Sequence, residues 1–435
     1  MRILIISHSY FPANEPRSFR WTEISEMFVK MGIEVDVLTT SNKREWVSLS
    51  RKSGTKIFRA FDPFYSFFNG KIKSKDRSPK LSKTLFSIPG IISKVLLLIR
   101  WPDYAAFWIF PAFLVGRNLL IKRKYDAIIS VSNPFSSHVV AYMLLKKKSD
   151  LVWVCDYGDP FSFESSYPSN NQKLYRNLNF YFEKKVIAIS RKIAVTNAAV
   201  VIKFQEYFKL PHTQYQVILP FLKMFPKDFN LKREKEFFDR EAINIVYSGV
   251  LYSKIRNPSF LLELIVRIKD RFFGKKIKLH FFGTVGDCEK IFAEYHLGLN
   301  QWLFIHGAVE RNLLHQYLSN ANFLVNIGNK NNFQLPSKIF EYISTNLPIL
   351  NIVSSDEDLT IPILKEYNSS LTLYSENTLS ESVIENVVDF IRFPNPINQS
   401  FVNKILDENS ISAISRQYLE FICEQVNVSN KELRI

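Results

Sequence analysis

The chain has 435 residues, of which 46% are hydrophobic and 23% are charged. This length exceeds what one hydrophobic core usually fills, so the sequence predicts two globular domains and excludes a collagen-like or low-complexity chain. The three cysteines, Cys155, Cys288 and Cys423, form no CxxC pair, so neither a disulfide framework nor a zinc ribbon is indicated. The apolar runs are too short for a signal peptide or a spanning helix. We therefore expect a cytoplasmic protein that does not cross a membrane.

The net charge is +16, and most of it lies in one window. Residues 51–124 contain 16 Lys or Arg against the three acids Asp62, Asp76 and Asp103, interleaved with aromatic and aliphatic residues. This mixture suits the anionic face of a bilayer. Nucleic acid is the rival partner, but the window is too apolar for a groove that follows phosphates and has no recognition signature. Core helices with solvated basic faces are the third interpretation.

The first half of the chain predicts a parallel sheet. Residues 2–38 follow a strand, helix, strand pattern, which is typical of sheets that bind ligands at the carboxyl ends of their strands. Further apolar runs that predict buried strands lie at 126–131, 151–155, 193–196 and 215–219. We expect these elements to form an amino-terminal Rossmann-like domain over residues 1–222.

The second half repeats the pattern after a charged, turn-like segment at 223–241, which we interpret as a linker. Apolar runs that predict strands follow at 243–247, 277–282, 302–305, 323–327 and 348–352. They predict a second Rossmann-like domain over residues 242–400. Apolar residues at helical spacing within 411–426 predict an amphipathic closing helix in the segment 401–435.

The most informative stretch is the run from Pro336 to Tyr342, which reads PSKIFEY. Pro336 and Ser337 precede a helix, where backbone amides and the positive end of the helix dipole attract phosphate, and Lys338 adds a cation. Glu341 lies one turn along, where its carboxylate can accept hydrogen bonds from two ribose hydroxyls. The alternative is an ordinary helix start with a solvated glutamate.

This stretch resembles the nucleotide-sugar motif of the GT-B glycosyltransferases of family 4. Other segments that resemble the family, in chain order, lie at 8–12, 102–108, 132–138, 156–161, 248–251, 256–258, 282–283 and 306–309. The resemblance implies an α/β chain of the GT-B class, with two Rossmann-like doubly wound domains facing across a cleft. It places the sugar donor in that cleft against the second domain.

The resemblance also implies which residues bind the donor, a UDP- or GDP-sugar that serves as substrate. They are Gly249, Lys254, Arg256, Gly283, His306, Pro336, Ser337, Lys338 and Glu341. Arg256 is favoured over Lys254 as the diphosphate ligand because it directly precedes the Asn-Pro pair that opens a helix, and both remain candidates. No permanently bound cofactor and no metal are expected. The acidic run 356–358 is interpreted as a solvated helix cap.

Asp159, Asp156 and His138 are the candidates for orienting or deprotonating the acceptor hydroxyl. Aspartates beside Gly or Pro are also common turn residues, and His138 is alternatively a capping or core histidine. The resemblance implies retention of the anomeric configuration by front-side attack, in which the donor phosphate accepts the proton.

Several positions differ from the family pattern. Phe333 stands where the family often has a second glutamate, and Gly158 and Phe161 replace an arginine and a tryptophan. The first loop offers Asn14, Glu15 and Arg17 in place of glycines. The glutamate missing at Phe333 bears on which sugar is bound, and the changes in the two loops touch the acceptor side more than the nucleotide side.

The combined pattern predicts an enzyme, a glycosyltransferase that transfers sugar to a lipid-linked or glycan acceptor. The expected setting is cell-surface polysaccharide synthesis, meaning O-antigen, capsule or exopolysaccharide, at the cytoplasmic face of the plasma membrane. The expected partners are the nucleotide-sugar, the acceptor and the anionic membrane surface, with no nucleic acid. The alternatives are a sugar-nucleotide 2-epimerase on the same fold and a non-catalytic, membrane-associated sugar-nucleotide binder.

Overall fold

The computed structural model describes residues 1–13, 15–41, 54–62, 100–146, 151–163, 168–210, 213–222, 238–330 and 334–432. They form two compact units, Met1–Phe221 with Ile411–Ile435, and Leu222–Ser410. Within these ranges, no helix has the length and apolar content needed to cross a bilayer. Most of the expected linker 223–241, residues 63–99 of the basic window, Asn14 and Phe333 lie outside the described residues.

The first unit is built on a seven-stranded parallel sheet. Its strands are β1 (Arg2–Ile6), β2 (Glu34–Ser41), β3 (Lys56–Phe61), β4 (Ala127–Ser132), β5 (Val152–Tyr157), β6 (Arg191–Val195) and β7 (Gln214–Val217). Its first helices are α1 (Pro16–Lys30), α2 (Ile109–Lys122), α3 (Ser136–Leu145), α4 (Gln172–Ser190) and α5 (Ala198–Phe208). The strand order is β3-β2-β1-β4-β5-β6-β7. The order reverses between β1 and β4, which is the point where ligands bind in sheets of this type.

The apolar runs form strands because both faces of the sheet are covered. On one face, α2, α3, α4 and α5 pack into a single hydrophobic cluster with residues such as Leu4, Ile128 and Cys155. On the other face, Trp21, Ile24 and Phe28 of α1 pack against the remaining strand side chains.

The second unit repeats the architecture with six parallel strands in the order β10-β9-β8-β11-β12-β13. The strands are β8 (Ala242–Ser248), β9 (Lys276–Phe282), β10 (Leu303–Gly307), β11 (Phe323–Ile327), β12 (Ile349–Val353) and β13 (Ser370–Tyr374). The helices are α6 (Ser259–Ile268), α7 (Glu289–Ala293), α8 (Arg311–Ser319), α9 (Lys338–Ile343), α10 (Thr360–Tyr367), α11 (Glu381–Arg392) and α12 (Gln399–Glu408). The order reverses between β8 and β11.

The last helix, α13 (Ile411–Glu432), belongs to the first unit. It buries Ile414, Tyr418 and Ile422 in the cluster that contains Trp21 of α1. The segment 401–435, expected to form one closing helix, thus contains the end of α12 in the second unit and α13 in the first. The predicted fold class, two Rossmann-like doubly wound α/β units, is confirmed.

Candidate functional site

Two loops meet at the reversal point of the second sheet. One follows β8 and the other follows β11, and Arg256 joins them because its Nε donates a hydrogen bond of 2.7 Å to Asn329 Oδ1. Its Nη1 also donates to the carbonyl of Val250 at 3.4 Å. Lys254 of the same loop has an exposed side chain. The geometry therefore favours Arg256 as the cation of this turn.

Two glycines let the loops after β8 and β9 touch through their backbones. Gly283 has a φ of +117°, and a Cβ atom added there would lie 2.1 Å from the carbonyl oxygen of Gly249. Gly249 has a φ of +133° and donates its amide to the carbonyl of Phe282 at 2.8 Å. Because any side chain at Gly283 would collide with backbone, only glycine fits this position.

Lys338, the first residue of α9, points back to the end of β8. Its Nζ lies 3.4 Å from the Ser248 carbonyl and 4.1 Å from the centre of the Tyr247 ring. Tyr342, one turn later, accepts a hydrogen bond of 2.9 Å from the Ser248 amide and fixes α9 to the strand. Burial, and then the nearby charge of Arg256, lower the pKa of Lys338 well below its usual value. The negative charge of a bound anion would oppose both effects and raise the pKa of Lys338 again.

The start of α9 differs from the sequence expectation. The helix has only six residues. Its Ile339 and Phe340 amides donate to the carbonyls of Pro336 and Ser337, at 3.1 and 3.3 Å. These two amides are therefore used within the turn, which leaves fewer unpaired donors at the start of α9 than the sequence predicts.

Glu341 contacts the Arg311 guanidinium of α8, and their side chains are 32% and 41% exposed. His315, one turn beyond Arg311, lies close enough for Glu341 to act on its pKa, although burial is the larger effect and lowers it. The sequence interpretation missed this pair. The only signal was a basic residue and a histidine spaced by four on one predicted helix, which is too common a pattern to identify a site.

His306 is the penultimate residue of β10 and stacks on Phe282, with ring centres 4.3 Å apart. Its Nε2 lies 3.0 Å from Nδ1 of His280, and burial lowers the pKa of His306. A cavity in the second unit borders the same edge of the sheet, at the ends of β11, β12 and β13. It is lined by Gly328, Lys330, Asn257, Ser354 and Ser375 among others, whereas Ser337, Lys338 and Glu341 do not line it.

The acidic run 356–358 precedes α10, whose N-cap residue is Leu359 and makes no side-chain capping hydrogen bond. Asp356 and Glu357 are exposed, as expected, but Asp358 is 6% exposed and accepts the Thr360 amide at 2.8 Å, so the expected solvated cap is wrong for this residue. Across the described residues, no group of three or more His, Cys, Asp or Glu side chains is placed to hold a metal ion.

On the first unit, Asp156 lies at the end of β5 and is 1% exposed. Its Oδ2 accepts from Arg17 Nη1 at 2.9 Å and from Trp21 Nε1 at 2.8 Å. Its Oδ1 accepts from the Tyr418 hydroxyl at 2.6 Å. Three donors thus hold this carboxylate between α1, β5 and α13, an arrangement that favours a structural role.

The position of Arg17 explains why residue 158 is a glycine. A Cβ atom at Gly158 would lie 1.8 Å from Arg17 Nη2. The guanidinium therefore occupies the space into which a larger residue at position 158 would project. Asp159, the next residue, is partly exposed in the turn after β5.

His138 is fully buried on α3. Its Nδ1 lies 2.7 Å from Ser130 Oγ, and its Nε2 has no hydrogen-bond partner among the residues described. Burial, together with the charge of Arg17, lowers the pKa of His138 to about 3. This environment is typical of a neutral core histidine.

Glu183 of α4 is a second buried group that the sequence did not single out. Its carboxylate accepts the amides of Phe161 and Ser162, at 3.1 and 2.8 Å, and so fixes the turn that contains Asp159. Burial raises the pKa of Glu183 to about 7.

Comparison with known proteins adds to this geometry. No protein-family model matches the chain. No curated protein matches its sequence closely enough to count as a relative. Solved structures do match, over almost the full length. Sucrose-phosphate synthase from Thermosynechococcus elongatus matches with a TM-score of 0.61 at 12% identity, over 100% of this chain and 99% of that one.

HepE from Anabaena, solved in complex with UDP, matches with a TM-score of 0.62 at 11% identity, over 98% and 100% of the two chains. WaaG, a glycosyltransferase involved in lipopolysaccharide biosynthesis, matches with a TM-score of 0.59 at 11% identity, over 97% and 99%. The chain has the GT-B fold. In this GT-B chain, Arg256, Lys338 and the paired glycines lie at the reversal point of the second sheet, where ligands of such sheets bind.

Proposed function

We propose that the chain is a retaining glycosyltransferase of the family 4 type that uses a UDP- or GDP-sugar and needs no bound metal. One observation carries the proposal. Arg256 and Lys338 lie close enough for their charges to interact. Beside them, the backbones of Gly249 and Gly283 are in contact and present no side chains; we call these two residues the glycine pair. Among the described residues, neither cation forms an ion pair with a carboxylate. A diphosphate anion would supply negative charge to balance these two cations.

The chemistry follows from where negative charge develops. Transfer breaks the bond between the anomeric carbon and the diphosphate, and the leaving diphosphate gains charge as the bond opens. Cations already fixed at that place stabilise the transition state more than the bound donor. Each charge-assisted hydrogen bond contributes about 1.5 to 3 kcal/mol. Glu341, held by Arg311, keeps carboxylate lone pairs for ribose hydroxyls.

On the acceptor side, we propose that Asp159 orients the attacking hydroxyl of a lipid-linked or glycan acceptor. The fixed turn after β5 places Asp159 at the carboxyl edge of the first sheet, where ligands of such sheets bind. The basic, apolar window 51–124 supports a position at the cytoplasmic face of the plasma membrane. WaaG, a match of similar fold, is described as acting in lipopolysaccharide biosynthesis, which fits cell-surface polysaccharide as the product class.

The test is isothermal calorimetry of the full chain with UDP, GDP and their sugars. We expect one nucleotide to bind, and Lys338→Ala to weaken its affinity roughly tenfold to a hundredfold, because one charge-assisted hydrogen bond is lost. Lys290→Ala is the control, since Lys290 is exposed on α7. A chain that binds no nucleotide, or that converts a sugar nucleotide to its 2-epimer without transfer to lipid extracts, would contradict the proposal.

A further inference from the structure

Helix α4 presents an apolar stripe to solvent. Leu174, Leu178, Tyr181 and Ile189 are 61%, 40%, 53% and 40% exposed. Positions 174, 178 and 181 are spaced by four and three, so these side chains share one face of the helix. The opposite face buries Asn179, Glu183, Val186, Ile187 and Ser190. Single exposed apolar residues are ordinary, but a continuous stripe on one helix marks an interaction surface.

The charges around the stripe have one sign. Lys173, Lys184 and Lys185 are exposed on this helix. Lys185 lies within the stripe itself, with its Nζ 4.4 Å from the centre of the Tyr181 ring. Glu183 is the one acid in the sequence of α4, and it points inward to the Phe161 and Ser162 amides. The outward face is therefore both apolar and cationic.

A face that is both apolar and cationic favours some classes of binding partner over others. A helix that lies in a membrane interface needs an apolar stripe that enters the acyl boundary and lysines that reach the headgroups. A nucleic acid would use the lysines but leave the leucines in water. A protein partner would need acids to complement the lysines, whereas an anionic bilayer supplies that complement over its whole surface.

We infer that the outer face of α4 docks on an anionic lipid surface. The helix lies outside the basic window 51–124, so this is a separate contact. It follows the turn that contains Asp159, and Glu183 ties the two together. Because Glu183 lies on the face of α4 opposite the stripe, docking through Leu174 and Leu178 leaves that turn about one helix diameter, roughly 10 Å, from the bilayer surface. The inference rests on the proposed transfer to a lipid-linked acceptor for its purpose, but not for its evidence.

The test is co-sedimentation of the full chain with vesicles of phosphatidylglycerol and phosphatidylcholine, against phosphatidylcholine alone. We expect the double variants Leu178→Glu/Tyr181→Glu and Lys184→Glu/Lys185→Glu each to lower partitioning at least tenfold. The first removes two apolar side chains that would enter the bilayer and adds two negative charges, and the second removes two basic residues that contribute roughly fivefold each. Phe273→Glu is the matched control, because Phe273 is 107% exposed in the second unit. Its partitioning should stay within twofold of the unchanged chain.

Equal partitioning of all variants would overturn the inference. So would a dimer in solution that Leu178→Glu/Tyr181→Glu dissociates, since the stripe would then contact a second copy. Melting temperatures check that each variant folds, and nucleotide affinity should not change in either. A chain that sediments with vesicles but binds no nucleotide would refute the proposed function while leaving the docking face in place.

Discussion

The two aspartates at the end of β5 illustrate how neighbours decide the role of a residue. A general base needs an accessible lone pair within reach of the substrate. Asp156 accepts hydrogen bonds from Arg17, Trp21 and Tyr418 and is 1% exposed. Asp159, three residues later, is partly exposed in the turn. Its burial and three donors therefore support a structural role for Asp156, whereas the exposure of Asp159 leaves that residue accessible to solvent.

Substituting each aspartate by asparagine separates these roles. Asp159→Asn should leave nucleotide binding and stability unchanged but lower turnover on acceptor at least tenfold, because the amide oxygen that remains is uncharged and is a much weaker base than the carboxylate. Asp156→Asn should reduce the free energy of unfolding by about 3 kcal/mol, since a buried ion pair with Arg17 is broken. Urea denaturation and transfer assays measure both effects. Unchanged turnover in Asp159→Asn would show that Asp159 has only a structural role in the turn.

At the level of elements, the candidate donor site depends on how closely two loops approach. The loops after β8 and β9 touch at Gly249 and Gly283, and α9 is fixed to β8 through Tyr342 and Ser248. The position of Lys338 therefore follows from backbone contacts that tolerate no side chain. A substitution in the glycine pair should therefore alter nucleotide binding, although Arg256 and Lys338 are both still present.

Gly283→Ala tests this dependence. Its Cβ would lie 2.1 Å from the Gly249 carbonyl at a φ of +117°, so we expect a loss of about 2 to 5 kcal/mol in the free energy of unfolding, from backbone strain and overpacking. Nucleotide affinity should fall as well, because the loop must move. Gly274→Ala is the control, since Gly274 has a φ of +73° with no atom within 4 Å of its added Cβ. It should cost only about 1 to 2 kcal/mol and leave affinity intact. Equal nucleotide affinities in the two variants would show that the glycine pair is not part of the donor site.

At the level of the whole molecule, the sequence predicts what local patterns encode. Short apolar runs alternating with helical periodicity predict two doubly wound sheets, and that prediction is confirmed. The return of α13 to the first unit is not visible in any local pattern, because it depends on contacts such as that of Tyr418 with Asp156, 262 positions apart. The same reason explains why the sequence did not predict that Arg17 lies beside Gly158 or that Arg311 contacts Glu341.

The titrating groups of the two units predict different responses to acid. Burial lowers the pKa of His138 in the first unit and of His280 in the second to about 3. As pH falls below the usual histidine value of about 6.5, the unfolded chain binds protons that the folded chain does not, so stability is lost. Glu183 acts in the opposite direction in the first unit. Its folded pKa of about 7 lies above its unfolded value, so the folded state holds the extra proton and gains stability as pH falls.

Between about pH 4.5 and 6.5, His138 and Glu183 therefore oppose each other, at about 1.4 kcal/mol per pH unit each. In the second unit, burial lowers the pKa of His306 and His315 as well as of His280, and these three shifts reduce stability in acid. Burial also raises the pKa of Asp358, which opposes them, but one carboxyl acts against three histidines. We expect acidification from pH 6.5 to 5 to destabilise the second unit by at least about 2 kcal/mol and the first unit much less. Hydrogen exchange, followed separately for peptides of each unit, measures the difference. His280→Phe, which keeps an aromatic ring beside Phe304, should remove much of the loss. Equal acid sensitivity of the two units would contradict the assignment of these buried groups.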